Sequence, residues 1–278
     1  KSIVDKQLAE LKKGVFSIGD DIVKYFELLP EESKSKQLFY EMQESYGIKK
    51  SQLQDRLRKS IKAGSIDVNI MTKVDNTNYT KGNTPLPEEY ADAMSALRGY
   101  ANSDLSSSVI FSAGLNPRLF AYLEKFEDFF PDQRGRIKKK VILKVSDYRS
   151  ALIQGKFLAK KGIWISEFRI ESGLNCGGHA FPTDGRLMGP ILEEFKENKE
   201  DLVAELLSIC NQSLSEKERN VFKTKPELRI TVQGGIGTAE EDEFLRKHYS
   251  VDGTGWGSPF LLVPEATTVD DSTLHDLA

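Results

Sequence analysis

Three glycine-bracketed segments hold the residues best suited to chemistry. In "GLNCGGHAF" (173–181), His179, one of three histidines in the chain, stands directly behind Gly177 and Gly178. Glycine removes the side chains beside the imidazole, so a ligand or another backbone can approach closely. An imidazole, with an unperturbed pKa of about 6.5, suits proton transfer near neutral pH. "QGGIGTAEE" (233–241) offers the backbone amides of Gly234, Gly235 and Gly237 just ahead of a helical stretch that Thr238 can cap. Exposed amides at a helix start form an anion site. "GTGWGSPF" (253–260) gives a neighbouring segment similar equipment through Gly257 and Ser258.

Other reactive residues are scattered. Cys176 and Cys210 make no disulfide framework, and three separated histidines make no zinc spacing. Cys176 has no nearby base and reads as a packed small residue. His248 lies at a polar helix end and His275 near the last residue, and both read as solvated. The basic run "RGRIKKK" (134–140) reads as a solvated lead-in to a strand.

The elements that must position these residues follow from periodicity. Residues 1–64 carry apolar residues at three- and four-residue spacing and read as helices, with Gly64 as a stop. From 65 onward the pattern alternates. Strands are expected at 65–74, 106–114, 138–147, 163–173, 227–235 and 251–263. Helices fall between them, and the stretch from 186 to 214 is expected to form two helices. Strand–helix alternation points to parallel strands joined by crossover helices. Apolar runs such as "VIF", "VIL" and "ITV" fit strands buried on both faces. A (β/α)₈ barrel would need two more strands; a doubly wound sheet competes, but the first strand–helix turn lacks G-x-G-x-x-G. In either architecture ligands bind at the carboxyl ends of the strands. The three glycine-rich segments all lie at such ends, whereas the opposite loops are mostly charged.

Composition narrows the classes. The chain has 278 residues, 39% hydrophobic and 29% charged, as expected of a globular protein. With 39 basic and 42 acidic residues, the net charge of -3 gives no electrostatic reason to expect nucleic acid. No run approaches the roughly 18 apolar residues of a membrane span. A reducing cytosol is the expected compartment. The chain begins at Lys1 and stops in "TTVDDSTLHDLA" without a clear terminal element, so it reads as part of a longer protein.

"ITVQGGIGTAEEDEFLRKHYSVDGTGWGSPF" resembles the last two strand–loop units of the FMN-dependent nitronate monooxygenase family, which includes the 2-nitropropane dioxygenases. Gly234, Gly235, Ile236 and Thr238 follow that family's A-G-G-I-x-[ST] pattern. Asp252, Gly253, Gly257, Ser258 and Phe260 follow its A-D-G-V-x-x-G-[ST]-x-F pattern. "ESGLNCGGHAF" is similar to its E-x-x-x-A-G-G-H strand end, with Glu171, Gly177, Gly178 and His179 in register. "VNIM" (68–71) resembles its V-N-[LF] strand, and "FSAGLNPRL" its G-A-G-x-P segment. Asn175, Cys176 and Pro259 depart from the pattern, as does the long helical amino-terminal region.

The resemblance implies a TIM (β/α)₈ barrel in which the six strands are the third to the eighth, the first two lying upstream of Lys1. Residues 1–64 would be a helical segment packed on the barrel, 65–263 the barrel strands, and 264–278 a tail or the start of a further part. It implies an FMN-dependent oxidoreductase, with His179 moving a proton beside the flavin. Asn69, Ser146, Gly177, Gly178, Gly234, Gly235, Gly237, Thr238, Gly257 and Ser258 would hold the cofactor, and no metal is expected. The expected partner is a small-molecule substrate, with self-association allowed. A flavin-dependent enoyl-thioester reductase and a non-catalytic binding or scaffold barrel are the alternatives.

Overall fold

The structure is a computed structural model that describes residues 1–112, 114–171, 187–257 and 270–277. The chain forms two compact units, Lys1–Ile66 and Asp67–Ala278. The first contains α1 (Ser2–Leu11), α2 (Asp21–Glu27), α3 (Lys34–Gln43) and α4 (Gly47–Ser60). Apolar residues at helical spacing, among them Ile22, Phe26, Phe39, Leu53 and Leu57, close into its own core. Arg58 ties the ends together by donating to the carbonyls of Lys12 (2.9 Å) and Gly14 (2.8 Å).

In the second unit strands and helices alternate. β1 (Val68–Met71), α5 (Asp92–Ala101), β2 (Ser108–Ser112) and α6 (Pro117–Tyr122) come first. β3 (Lys140–Val145), α7 (Tyr148–Ala159), β4 (Ile165–Ile170) and α8 (Met188–Glu216) follow. β5 (Arg229–Gln233), α9 (Ala239–Tyr249), β6 (Gly253–Gly255) and α10 (Asp271–Leu277) complete the series. The six strands form one sheet in the order β1-β2-β3-β4-β5-β6, every pair parallel. A doubly wound sheet reverses its strand order at a switch point. This one runs monotonically.

The two faces of the sheet differ in chemistry because side chains alternate along a strand. Ile70, Val109, Phe111, Val141, Leu143, Val145, Phe168, Ile170, Ile230 and Val232 point one way, into a core shared with Leu97 of α5, Leu158 of α7 and Phe195 and Leu206 of α8. The opposite face carries Asn69, Ser112, Lys144, Glu167, Arg169, Thr231 and Gln233, with Ile110 and Ile142 between them. A register shift where β3 meets β4 pairs Ile142 with Glu167 and Lys144 with Arg169, which brings these polar residues onto one face.

The structure corrects several boundaries. The strands are shorter than expected, and the last keeps only three residues, because the pairing with β5 spans only Thr231 to Gln233. Residues 188–216 form one 29-residue helix, not two. Its buried stripe (Ile191, Phe195, Leu202, Leu206, Cys210, Leu214) runs through without a change of phase, and Pro190 sits in the first turn, where its missing N–H costs nothing. The stretch after Asn116 is helical only to Tyr122 and continues as two 3₁₀ turns. Near the carboxyl end a helix does form: Asp270 accepts from the Thr273 amide at 3.0 Å and starts α10. No helix among the described residues is long and apolar enough to cross a membrane.

Candidate functional site

The monotonic order brings the carboxyl ends of β4, β5 and β6 side by side. His179, Gly177, Gly178 and Ser258 lie outside the described residues. The remaining candidates can be placed.

After β5 the backbone turns sharply through Gly234 (φ +94°) and Gly235 (φ +70°), left-handed conformations that glycine adopts without strain. Thr238 then caps α9, its hydroxyl accepting from the Glu241 amide at 3.2 Å. The amides of Gly237 and Thr238 point at one carboxylate oxygen, Glu241 Oε2, at 2.8 and 3.0 Å. Threonine and glutamate thus form a capping box. The two backbone donations hold the Glu241 carboxyl below its usual pKa. One carboxylate oxygen is thus held by two backbone amides at the start of α9. Glu241 is exposed, so the same oxygen can swing out to solvent.

The next strand packs against this loop. Asp242 accepts from Thr254 Oγ1 at 2.5 Å, and Trp256 Nε1 donates to Thr254 Oγ1 at 2.9 Å. Burial would raise the Asp242 carboxyl, but Thr254 and Arg246 hold it low. Gly253 and Gly255 occupy polar-face positions of β6, opposite Thr231 and Gln233. A Cβ at Gly255 would lie 2.8 Å from Gln233 Cβ, and one at Gly253 would lie 3.0 Å from Arg229 Nη2. Glycine there makes room for the side chains of β5.

A charged network crosses the polar face. Glu167, 5% exposed at its side chain, accepts from Arg169 Nε (2.9 Å) and Nη2 (2.8 Å), from Thr231 Oγ1 (2.6 Å) and from Arg229 Nη1 (3.4 Å). Towards the carboxyl ends, Glu171 pairs with Lys144 Nζ at 2.6 Å and accepts from Gln233 Nε2 at 2.9 Å. A buried carboxylate is tolerated only with such partners.

Asn69 and Ser146 stand apart from the glycine loops. Asn69, on the edge strand β1, accepts from Ser112 Oγ at 2.9 Å. Ser146, exposed at the end of β3, donates to Asp147 at 2.7 Å, the residue that caps α7. Gly257 is open, with nothing within 4 Å of where its Cβ would be. His248 is about half exposed and stacks on Phe244, 5.1 Å between ring centroids. Among the described residues no cluster of His, Cys, Asp or Glu is placed to hold a metal.

Sequence reasoning did not single out Lys144, Glu167, Arg169, Arg229 or Gln233 as site residues. A signal was present: in "EFRIE" and "RITVQ" a polar residue recurs at every second position of otherwise apolar strands, and in "KVILKV" at every fourth. The role of Glu241 could be read only as an acidic residue in a helical first turn.

The fold and this site define an α/β protein with a monotonic parallel sheet, one polar sheet face and a glycine turn at the carboxyl end of β5. No protein-family model matches the chain, and no curated protein matches it.

Proposed function

We propose that this chain is a flavin-dependent oxidoreductase whose six strands are the third to the eighth of a (β/α)₈ barrel. The observation that carries this reading is the side-by-side placement of the carboxyl ends of β4, β5 and β6 in an unreversed parallel sheet. In this reading the three glycine-rich segments that follow these strands in sequence share one rim. The donors of Gly237 and Thr238, already holding a carboxylate oxygen, support a phosphate position there.

In this reading Gly234, Gly235, Gly237, Thr238, Gly257 and Ser258 hold the phosphate side of FMN. Asn69, Ser146, Gly177 and Gly178 lie towards its ring. The bound cofactor supplies electron transfer. The protein's part is to bind, to orient and to move a proton, and His179 is assigned that proton. Glu241 must leave the two amides before a phosphate can take them, and the acidic first turn of α9 (Glu240, Glu241, Asp242) tunes how tightly it binds.

The test is to purify the full chain, record its absorbance and titrate it with FMN. A yellow protein, or saturable binding that Gly235→Val abolishes, is expected. A colourless protein that binds no added FMN overturns the reading.

A further inference from the structure

The net charge of -3 is unevenly shared between the two units. Residues 1–66 hold 13 basic and 10 acidic side chains, and the remainder of the chain holds 26 and 32. Much of the positive charge of the first unit lies on one helix. α4 and the two residues after it carry Lys49, Lys50, Arg56, Arg58, Lys59 and Lys62, with Asp55 as the one carboxylate. Arg58 is engaged within the unit by the carbonyls of Lys12 and Gly14, and Lys49 pairs with Glu41 of α3 at 3.0 Å. Among the described residues Lys50, Arg56, Lys59 and Lys62 enter no ion pair.

Helical geometry sorts these side chains. Leu53 and Leu57 turn into the core of the unit. Lys49, Gln52, Arg56 and Lys59, at spacings of three, four and three, line up as a stripe on another side of the helix, and all four are exposed. At 1.5 Å per residue the stripe is about 15 Å long. Asp55 borders it, and Glu41 and Glu44 lie on α3 and in the turn after it. Against six cations these three carboxylates leave the balance positive, and such a surface attracts a polyanion. The residue types narrow the choice. Arg and Gln read guanine and adenine edges in the major groove of DNA, and Lys contacts phosphates. α3 and α4 pack together across a three-residue connection, Glu44–Tyr46. A connection of that length joins the helices of a helix-turn-helix, whose second helix lies in the major groove. A membrane-surface helix lays an apolar face into lipid, whereas Leu53 and Leu57 are already buried. The stripe carries no aromatic residue on which unpaired bases could stack, and the major groove of duplex RNA is too narrow to read.

We propose that the amino-terminal helical unit binds double-stranded DNA, with the Lys49–Gln52–Arg56–Lys59 stripe of α4 facing the major groove. The inference does not depend on flavin. It assigns a role to a unit that the glycine-rich rim leaves without one.

Fluorescence anisotropy of the full chain with a labelled DNA duplex of about 30 base pairs tests it, in sodium chloride from about 20 to about 200 mM. Saturable binding is expected, with log affinity falling linearly as log salt rises. Arg56→Gln combined with Lys59→Gln should weaken binding at least about tenfold and make the salt slope shallower by about two. Lys6→Gln combined with Lys24→Gln removes the same charge from α1 and α2 and should change the affinity less than about threefold. Arg56 and Lys59 are exposed, so circular dichroism of their double variant should match wild type. The salt slope of the wild type needs no variant, and a slope near zero overturns the proposal. So does the absence of saturable binding at the lowest salt, or an equal loss in the two double variants. Tighter binding of the single strand, or of phosphatidylserine vesicles, than of the duplex also overturns it and assigns the stripe to another partner.

Discussion

Glu241 Oε2 accepts from the Gly237 amide at 2.8 Å, so a side chain of α9 is bound in the loop that leads into α9. One carboxylate stabilises the helix start and, in the proposed function, occupies the place of a phosphate oxygen. The two roles can be separated experimentally.

Glu241→Ala removes half of the capping box and frees the two amides. The variant should unfold at a lower temperature than wild type, as read by circular dichroism at 222 nm, roughly the helical minimum. If phosphate binds at this loop, the same variant should bind FMN about tenfold more tightly, because no internal anion has to be displaced. Weaker FMN binding together with lower stability would show that Glu241 organises the loop rather than competing for it.

Gly255→Ala should be costly and Gly257→Ala neutral. The Cβ at 255 meets Gln233 Cβ at 2.8 Å, an atom fixed to the backbone that cannot rotate away, whereas the Cβ at 257 meets nothing within 4 Å. Overpacking of this kind costs about 1–3 kcal/mol. Urea denaturation of both variants provides the comparison, and equal midpoints would contradict the close packing of β6 on β5.

Lys139 is fully buried, and its ammonium donates at 2.7 Å to the carbonyls of Tyr100, Ala101 and Ser103 at the carboxyl end of α5. Lys139→Met would leave the carbonyls of Ala101 and Ser103 without this donor inside the protein, while that of Tyr100 keeps the Ser103 amide and hydroxyl. A loss of about 2–4 kcal/mol is expected in chemical denaturation, following the cost of unsatisfied buried acceptors. A variant as stable as wild type would show that water replaces the ammonium.

Asp75 anchors the loop between β1 and α5. Its carboxylate accepts from Arg118 (2.5 Å), from Asn116 (3.2 Å) and from the Ala93 amide (3.1 Å). Burial would raise its pKa, but Arg118 and Asn116 hold it below the usual aspartate value. A carboxyl whose folded pKa is depressed adds stability that is present above its unfolded pKa of about 3.9 and is lost as pH falls through the folded value. The stability difference between wild type and Asp75→Asn should therefore be constant from pH 7 to about pH 5 and shrink as pH falls below about 4. A difference that does not change over this range would mean that the ion pair with Arg118 contributes nothing.

The sequence by itself determined the elements and the order in which they alternate. Apolar residues at spacings of two and of three to four are local signals, so each strand and most helices could be read from their own residues. So could Gly234 and Gly235, which mark a turn only glycine makes easily, and Thr238, whose capping role needs only the three residues after it. Tertiary structure decided what lies beside what. The unreversed strand order is a property of pairing, and no single strand encodes it. Glu167 reads as one more acidic residue until Arg169 on its own strand and Thr231 and Arg229 on β5 satisfy it. The β3–β4 register shift, which brings Lys144 level with Arg169, is likewise invisible in either strand alone. Gly255 looks like part of a flexible "GTGWG" run, yet its lack of a side chain answers to Gln233 on the neighbouring strand. In each case the residue type is local information, but its partner lies up to 64 positions away in the chain, as Thr231 does from Glu167, and only folding brings the two together.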